Sequence, residues 1–344
     1  MNNETIGVIQ AADPSLLYTL YQWGIALIKG IQTIEHPALT AVIRVLTGLG
    51  TELFYIPVIL FIFWCVDEKQ GGRFCILILL STWVNGFFKN LLKQPRPYNL
   101  DPSVGRGFEP SYGIPSGHAQ QSFVFWGAAA PWAGKWTGKT AAHLASVLFI
   151  LIIAFTRLYL GLHFPTDILA GWVLGALLLA LYFIFGSRLE GLIAAGGTRF
   201  QMICAAIIAL LMNGSGAGTN IGGMFLGFCA GYSLMIRHIR FSAQAPVRGK
   251  RPSGLILTAR YFLGMAGMAL IYIVLKLLLP GEGSLFAALP GWGSASPYYE
   301  LGRFLRYGML GLWAAAGAPW VFCRIGLADA GPGASDQGSA DSAS

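Results

Sequence analysis

The feature that most constrains this chain is a series of apolar runs, each about 17–25 residues long, separated by short polar or basic segments. A bilayer's hydrocarbon core is crossed by a helix of about 20 such residues. Inside that core a backbone N–H or C=O finds no water, and a helix pairs them all within one segment. The expectation is an all-α polytopic membrane protein with about ten spans. They fall at roughly 16–34, 50–66, 74–92, 118–133, 141–158, 167–186, 200–213, 220–236, 257–280 and 303–323. A length of 344 residues would suit about two soluble domains, but 55% hydrophobic and 11% charged residues override that. Met1–Ser15 is polar and slightly acidic, unlike a cleaved signal peptide, so the first run reads as a retained helix.

The net charge of +8 raises nucleic acid as a partner. The basic residues, however, sit in short loops between apolar runs, with no aromatic-interleaved basic patch, and nucleic-acid binding is excluded. Topology accounts for them better, because cytoplasmic loops carry the excess of lysine and arginine. With the N-terminus inside, the inner loops hold Lys69 and Arg73, Lys135 and Lys139, Arg188 and Arg199, and the basic stretch 237–251. The outer loops 213–220 and 281–300 hold neither residue. Trp292, Tyr298 and Tyr299 in the second of these suit the membrane interface. The five cysteines lack CxxC spacing and read as small buried hydrophobes.

The outer cations that break this rule are mainly those of 89–106, together with Arg157. Lys89 and Arg96-Pro97 close a span. Pro95 and Pro97 stop the helix, and a point charge and a planar fork then lie at the surface, both suited to phosphate oxygens. Alone, such residues are ordinary snorkelling anchors. Pro115-Ser116-Gly117-His118 precedes another apolar run. Free N–H groups and the helix dipole there favour an anion, with Ser116 as a hydroxyl donor and Gly117 allowing close approach. The bland alternative is an N-cap beside an interfacial histidine. The third piece is Arg157, His163 and Asp167. His163 and Asp167 are four apart and share a face, so the carboxylate can orient the imidazole and leave one nitrogen as a nucleophile. A metal shared by His163 and Asp167 is the alternative, but the surrounding Lys and Arg repel a cation and attract a phosphate. Asp101 and Glu109 flank these motifs and read as solvated loop charges.

The three motifs in this order and spacing resemble the type 2 phosphatidic acid phosphatase superfamily, which includes lipid phosphate phosphatases and vanadium haloperoxidases. Its signatures K-x6-RP, PSGH and SR-x5-H-x3-D correspond to Lys89–Pro97, Pro115–His118 and Arg157–His163–Asp167, with Thr156 in place of the usual serine. The resemblance covers residues 16–187. It implies that His163 attacks phosphorus, that Asp167 orients it, and that His118 protonates the leaving alkoxide and then activates water. It also implies that Lys89, Arg96, Ser116, Gly117 and Arg157 hold the phosphoryl oxygens, with no metal or other cofactor. QPRP, YGIPSGH and RLYLGLHFPTD are similar to the sphingosine-1-phosphate phosphatase branch, which carries threonine where this chain has Gly117.

The expected organisation is therefore a six-helix catalytic transmembrane core at 1–187, about four extra helices at 188–325, and a disordered Gly/Ala/Ser/Asp-rich tail at 326–344. The expected activity is hydrolysis of a lipid phosphate monoester at the extracytoplasmic face, in a bacterial plasma membrane. Its partners are the lipid and the bilayer. Alternatives within the same chemistry are a polyprenyl diphosphate phosphatase or a lipid phosphotransferase. A transporter or scramblase is the alternative of another class. Against it, 188–344 carries no mid-span charge except Lys276, near a span end.

Overall fold

Apolar runs without turn residues close their backbone hydrogen bonds locally, and helices form at all ten expected places. The computed structural model describes residues 16–281, 283–290, 292–293 and 296–329. In chain order the helices are α1 (Leu16–Gln32), α2 (Pro37–Gly48), α3 (Glu52–Phe61), α4 (Glu68–Leu92), α5 (Gly117–Thr137), α6 (Lys139–Tyr159) and α7 (Pro165–Ala195). There follow α8 (Gly197–Gly214), α9 (Thr219–Leu234), α10 (Gly254–Leu278), α11 (Tyr299–Leu312) and α12 (Ala318–Arg324). π-helical turns extend α3 over Ile62–Val66 and α9 over Met235–Ile239, and Trp313–Gly317 joins α11 to α12.

Among the described residues, six helices are long and apolar enough to cross a membrane: α4 with the segment on to Leu100, α6, α7, α8, α9 with its π turn, and α10. The bent pair α2 and α3, at 47°, makes a seventh if counted as one span. This is an integral membrane protein, with fewer clear spans than the ten expected. α1 has 17 residues. α5 packs inward on a partly polar face that includes Gln120 and Ser122, and α11 is interrupted. Residues 37–48, passed over as loop, form α2: the amide of Ala38 caps onto His36, and Pro37 starts the helix.

The chain divides into two compact units, residues up to 55 with 80–186, and 56–79 with 187 onward. The second boundary lies where the chemistry of the sequence ends. Residues 56–79, within the expected 1–187 core, pack in the second unit. There Phe63, Trp64 and Cys65 join Phe228, Met235, Ala314, Ala315 and Phe322 in one apolar cluster. The indole of Trp64 donates to Ala314 O at 2.9 Å.

In the first unit the core gathers Tyr21, Ile25, Ile28, Val104 and Phe164, with Tyr21 stacked on Phe164 at 4.8 Å. α5 and α7 approach closely because Gly171 lies against Ser116 O and Gln120 N, and Gly175 against Phe123. A polar ladder crosses this core. Gln120 donates to Ser81 O at 2.9 Å, and Asn85 donates to Gln120 Oε1 at 2.9 Å and to Pro115 O at 3.3 Å.

In the second unit, glycines set the contact between α9 and α11. A Cβ on Gly227 would collide with Gly308 O, and one on Gly223 with Phe304 O. Fully buried Arg260 donates to Leu327 O and Ala243 O, both at 2.9 Å, and its guanidinium lies 5.4 Å from the Phe241 ring centre. Asp329 Oδ2 accepts from Arg248 N at 2.8 Å. These bonds involve Leu327 and Asp329, at the start of the expected tail 326–344. The rest of that tail, 330–344, lies outside the described residues.

Gly227→Ala is expected to destabilise the second unit by about 1–3 kcal/mol through overpacking. Gly191→Ala, where a Cβ meets nothing within 4 Å, is expected to stabilise it by about 0.5–1 kcal/mol. Thermal unfolding in detergent reads both. A tolerated Gly227→Ala would overturn the close contact.

Candidate active site

The site is built in the first unit from the ends of α4, α5, α6 and α7 and the loop 93–116. α4 stops at Leu92, and Lys93 takes a left-handed conformation with φ 48° before the two prolines. Lys89, in the last turn of α4, donates to Tyr112 O at 2.5 Å and Gly113 O at 3.2 Å. It thereby ties the returning loop to the helix end.

Arg96 is 1% exposed, and its whole fork is engaged. Nε donates to Ser111 O at 2.7 Å, Nη1 to Leu162 O at 2.9 Å, and Nη2 to Ser111 Oγ at 3.0 Å. Nη1 also lies 3.2 Å from His163 Nε2. A guanidinium has only donors, so this contact requires the lone pair on Nε2. On the other side of the ring, His163 Nδ1 lies 3.2 Å from Asp167 Oδ2. The proton therefore sits on Nδ1, and the lone pair of Nε2 accepts from Arg96 Nη1.

Asp167 occupies the first turn of α7. Its Oδ2 also accepts from Phe164 N at 2.9 Å, and its backbone carbonyl accepts from Ser116 N at 2.9 Å. One residue thus joins the second and third sequence motifs. Ser116 is fully buried and caps α5, its Oγ accepting from Ala119 N at 3.5 Å. Gly117 begins α5 beside Asn85 Oδ1, which a Cβ would meet at 3.2 Å. His118 follows, half-buried, packed on Gly50. Arg157 lies in the last turn of α6, 1% exposed, and donates to Thr47 Oγ1 at 2.9 Å. Its Nε is buried and has no hydrogen-bond partner among the described residues.

Glu109, taken from the sequence as a solvated loop charge, is a central member of this cluster. Its carboxylate pairs with Arg96 Nη2 at 2.8 Å and with Arg157 Nη2, and Oε2 lies 3.8 Å from His163 Nε2. It is an anion held between two buried arginines, beside the His163 ring. Burial pushes its carboxyl upward, but Arg157, Arg96 and His118 outweigh this and hold it below the ordinary carboxylate value. Burial is also the main reason that His163 resists protonation, with Arg96, Arg157 and Lys89 adding to it, so the imidazole is neutral well below the usual histidine range.

Thr47, Asn85 and Gln120 also position the site without having been found from the sequence. The available signal for Asn85 was its place one turn before Lys89 on the same helix. Asp101, by contrast, is outside the cluster: it pairs with Lys29 at 2.7 Å. Among the described residues, no group of three or more His, Cys, Asp or Glu side chains is placed to hold a metal ion.

Residues 70–190 match the family model for the PAP2 superfamily, and residues 219–330 match the model for the PAP2 superfamily phosphatase transmembrane extension. The chain belongs to the PAP2 superfamily. Among curated relatives it is 27% identical to sphingosine-1-phosphate phosphatase 2 of Mus musculus, over 49% of this chain and 48% of that protein. It is 28% identical to phosphatidylglycerophosphatase B of Bacillus subtilis, over 48% of this chain and 84% of that one. The match thus spans about half the length of the mouse relative. The crystal structure of a PAP2-type phosphatidylglycerolphosphate phosphatase from Bacillus subtilis covers 54% of this chain and 93% of its own, with 23% identity and a TM-score of 0.44.

Glu109→Gln keeps the side chain's shape and removes its charge. Without added anion the variant is expected to unfold at a lower temperature, because Arg96 and Arg157 lose their compensation. Inorganic phosphate should bind it about tenfold more tightly or better, about 1.4 kcal/mol, since the internal competitor is gone. Unchanged phosphate affinity would show that the carboxylate does not stand in the anion's place.

Proposed function

We propose that this protein is a membrane-embedded phosphatase that hydrolyses a lipid phosphate monoester through a phosphohistidine intermediate. The carrying observation is the arrangement around His163: Nδ1 held by Asp167, Nε2 bearing its lone pair, and two buried arginines beside it. An imidazole placed this way is a neutral nucleophile surrounded by positive charge, the environment that a phosphoryl dianion requires.

In the proposed reaction the phosphoryl oxygens displace the Glu109 carboxylate from Arg96 and Arg157, and the unpaired Nε of Arg157 takes a further oxygen. His163 Nε2 attacks phosphorus as the ester P–O bond breaks. The departing alkoxide takes a proton from the His118 imidazolium, leaving a lipid alcohol and a phosphorylated His163. His118, now neutral, removes a proton from water, whose oxygen attacks phosphorus. The P–N bond breaks, releasing inorganic phosphate and restoring His163. Charge at the equatorial oxygens is met by the arginines and by the free N–H groups at the start of α5. Lys89 holds the loop carbonyls of Tyr112 and Gly113, so in this reading it positions the loop as well as adding positive charge. General acid–base help from His118 is worth about 10²–10⁴-fold.

Phosphatidic acid, a sphingoid phosphate and an isoprenoid phosphate share the required chemistry, a phosphate monoester on an apolar tail. The lysine and arginine asymmetry of the loops supports a site that faces away from the cytoplasm. The names of the curated relatives, which act on sphingosine 1-phosphate or phosphatidylglycerophosphate, support the same substrate class.

Purified protein in detergent should release phosphate from phosphatidic acid or sphingosine 1-phosphate with EDTA present, and vanadate should inhibit it. His163→Ala should reduce turnover by at least 10⁴-fold, and near-normal release from that variant would overturn the mechanism. The pH profile is a separate check. The imidazole of His163 must be unprotonated to attack, and its pKa is lowered, so the acid limb of kcat/KM set by this group should lie well below pH 6.5. An acid limb of that origin at or above pH 6.5 would contradict the buried, cation-flanked setting.

A further inference from the structure

The second unit contains its own cluster of cations, remote in sequence from the three motifs. A cavity of about 340 Å³ is lined by Tyr272 and Lys276 of α10 and by Tyr299, Arg303, Arg306 and Tyr307 of α11. Arg306 is 8% exposed, its guanidinium carbon lies 5.8 Å from the Tyr272 ring centre, and its Nε has no hydrogen-bond partner among the described residues. No carboxylate of the described residues lies within salt-bridge distance of Arg306 or Lys276. Among the described residues the acid beside the group is Glu300, whose Oε1 is 3.7 Å from Arg303 Nη1 and whose Oε2 accepts from Thr219. Arg303 Nη2 also donates to Asn220 Oδ1 at 3.0 Å.

A buried guanidinium with an unmet donor is costly, and among the described residues the cations around this concave space outnumber the acids. Backbone shape keeps the space open. Gly281, with φ 147°, lies over the cluster, and a Cβ there would meet Tyr299 at 3.2 Å and Arg306 Nη2 at 3.8 Å. The charge pattern points the same way. The loop that joins α10 to α11 is one of the two outer loops lacking lysine and arginine, yet three cations gather at its two ends. Cations on that side are scarce, and topology does not call for them.

We propose that this cavity is a second anion site that binds a phosphoryl group, separate from the catalytic one. Two arginine forks and a lysine match the oxygens and the double charge of a phosphate monoester. Inorganic phosphate and the headgroup of an anionic lipid present the same group. Occupation would give the transmembrane extension a binding role of its own, and the assignment does not depend on the catalytic mechanism above.

The test uses the full chain carrying His163→Ala, so that no ligand is consumed, and compares it with the same chain bearing Lys276→Gln and Arg303→Gln. Both added substitutions are at side chains that reach solvent, so the fold is preserved. Detergent-solubilised protein is titrated calorimetrically with inorganic phosphate and, in a second arm, with dioctanoyl phosphatidic acid; dioctanoyl phosphatidylcholine is the control. The expected result is a binding event that the double substitution weakens at least tenfold, while Lys276→Gln and Arg303→Gln in the otherwise native chain leave phosphate release intact. Binding of both ligands identifies a free phosphoryl group as sufficient, and binding of phosphatidic acid alone identifies a lipid headgroup. If the catalytic site binds neither ligand, the parent shows one event and the double variant none, which still supports this cavity. Equal binding in the two proteins, or none in either, overturns it.

Discussion

Burying positive charge is the constraint on which the first unit depends. Arg96 and Arg157 are each 1% exposed in a protein whose surroundings are largely hydrocarbon, and a buried charge persists only when it is paired and hydrogen-bonded. The pairing comes from Glu109, Thr47 Oγ1 and a set of loop carbonyls from Ser111, Tyr112 and Leu162. Loop 93–116 therefore does structural work, since its backbone oxygens are the counter-dipoles that let the cations stay. An arriving phosphoryl group would replace one anion by another, and the arginines would remain compensated throughout.

The same logic explains why the site sits at helix ends. Helix termini carry unpaired backbone groups and partial charge, and these are the places where a mostly apolar bundle can tolerate polar chemistry. The Asp167 carbonyl accepts from Ser116 N, and the Asp167 carboxylate accepts from Phe164 N and holds His163. One residue at the start of α7 thus fixes the start of α5 and the His163 ring together. Asn85 and Gln120 extend this control into the helix interior, where amide side chains satisfy one another in place of water.

Much of this was legible in the residue order. Apolar runs announced the helices, and Lys89, Arg96, Ser116, Gly117, His118, Arg157, His163 and Asp167 stood out because cations and histidines are rare beside hydrocarbon. Glu109 did not stand out, because a glutamate in a Gly- and Pro-rich loop has the same local signature whether it is solvated or folded inward. Thr47 was hidden for a similar reason: it ends α2, a helix too short and too interrupted to be recognised. That residues 56–79 pack in the second unit was not legible, because an apolar helix carries no mark of which apolar neighbour it will meet.

The linear sequence by itself determined the class of the protein, the places of most of its helices and the inventory of groups able to act on a phosphate, since each depends on composition and near-neighbour spacing. Tertiary structure decided the rest. It put the proton of His163 on Nδ1, by facing Nε2 with a guanidinium that can only donate. It folded Glu109 between two arginines 13 residues upstream and 48 residues downstream of it. It also gathered Lys276, Arg303 and Arg306 around one cavity. Such outcomes depend on distances between residues far apart in the chain, and these are set only when the helices have packed.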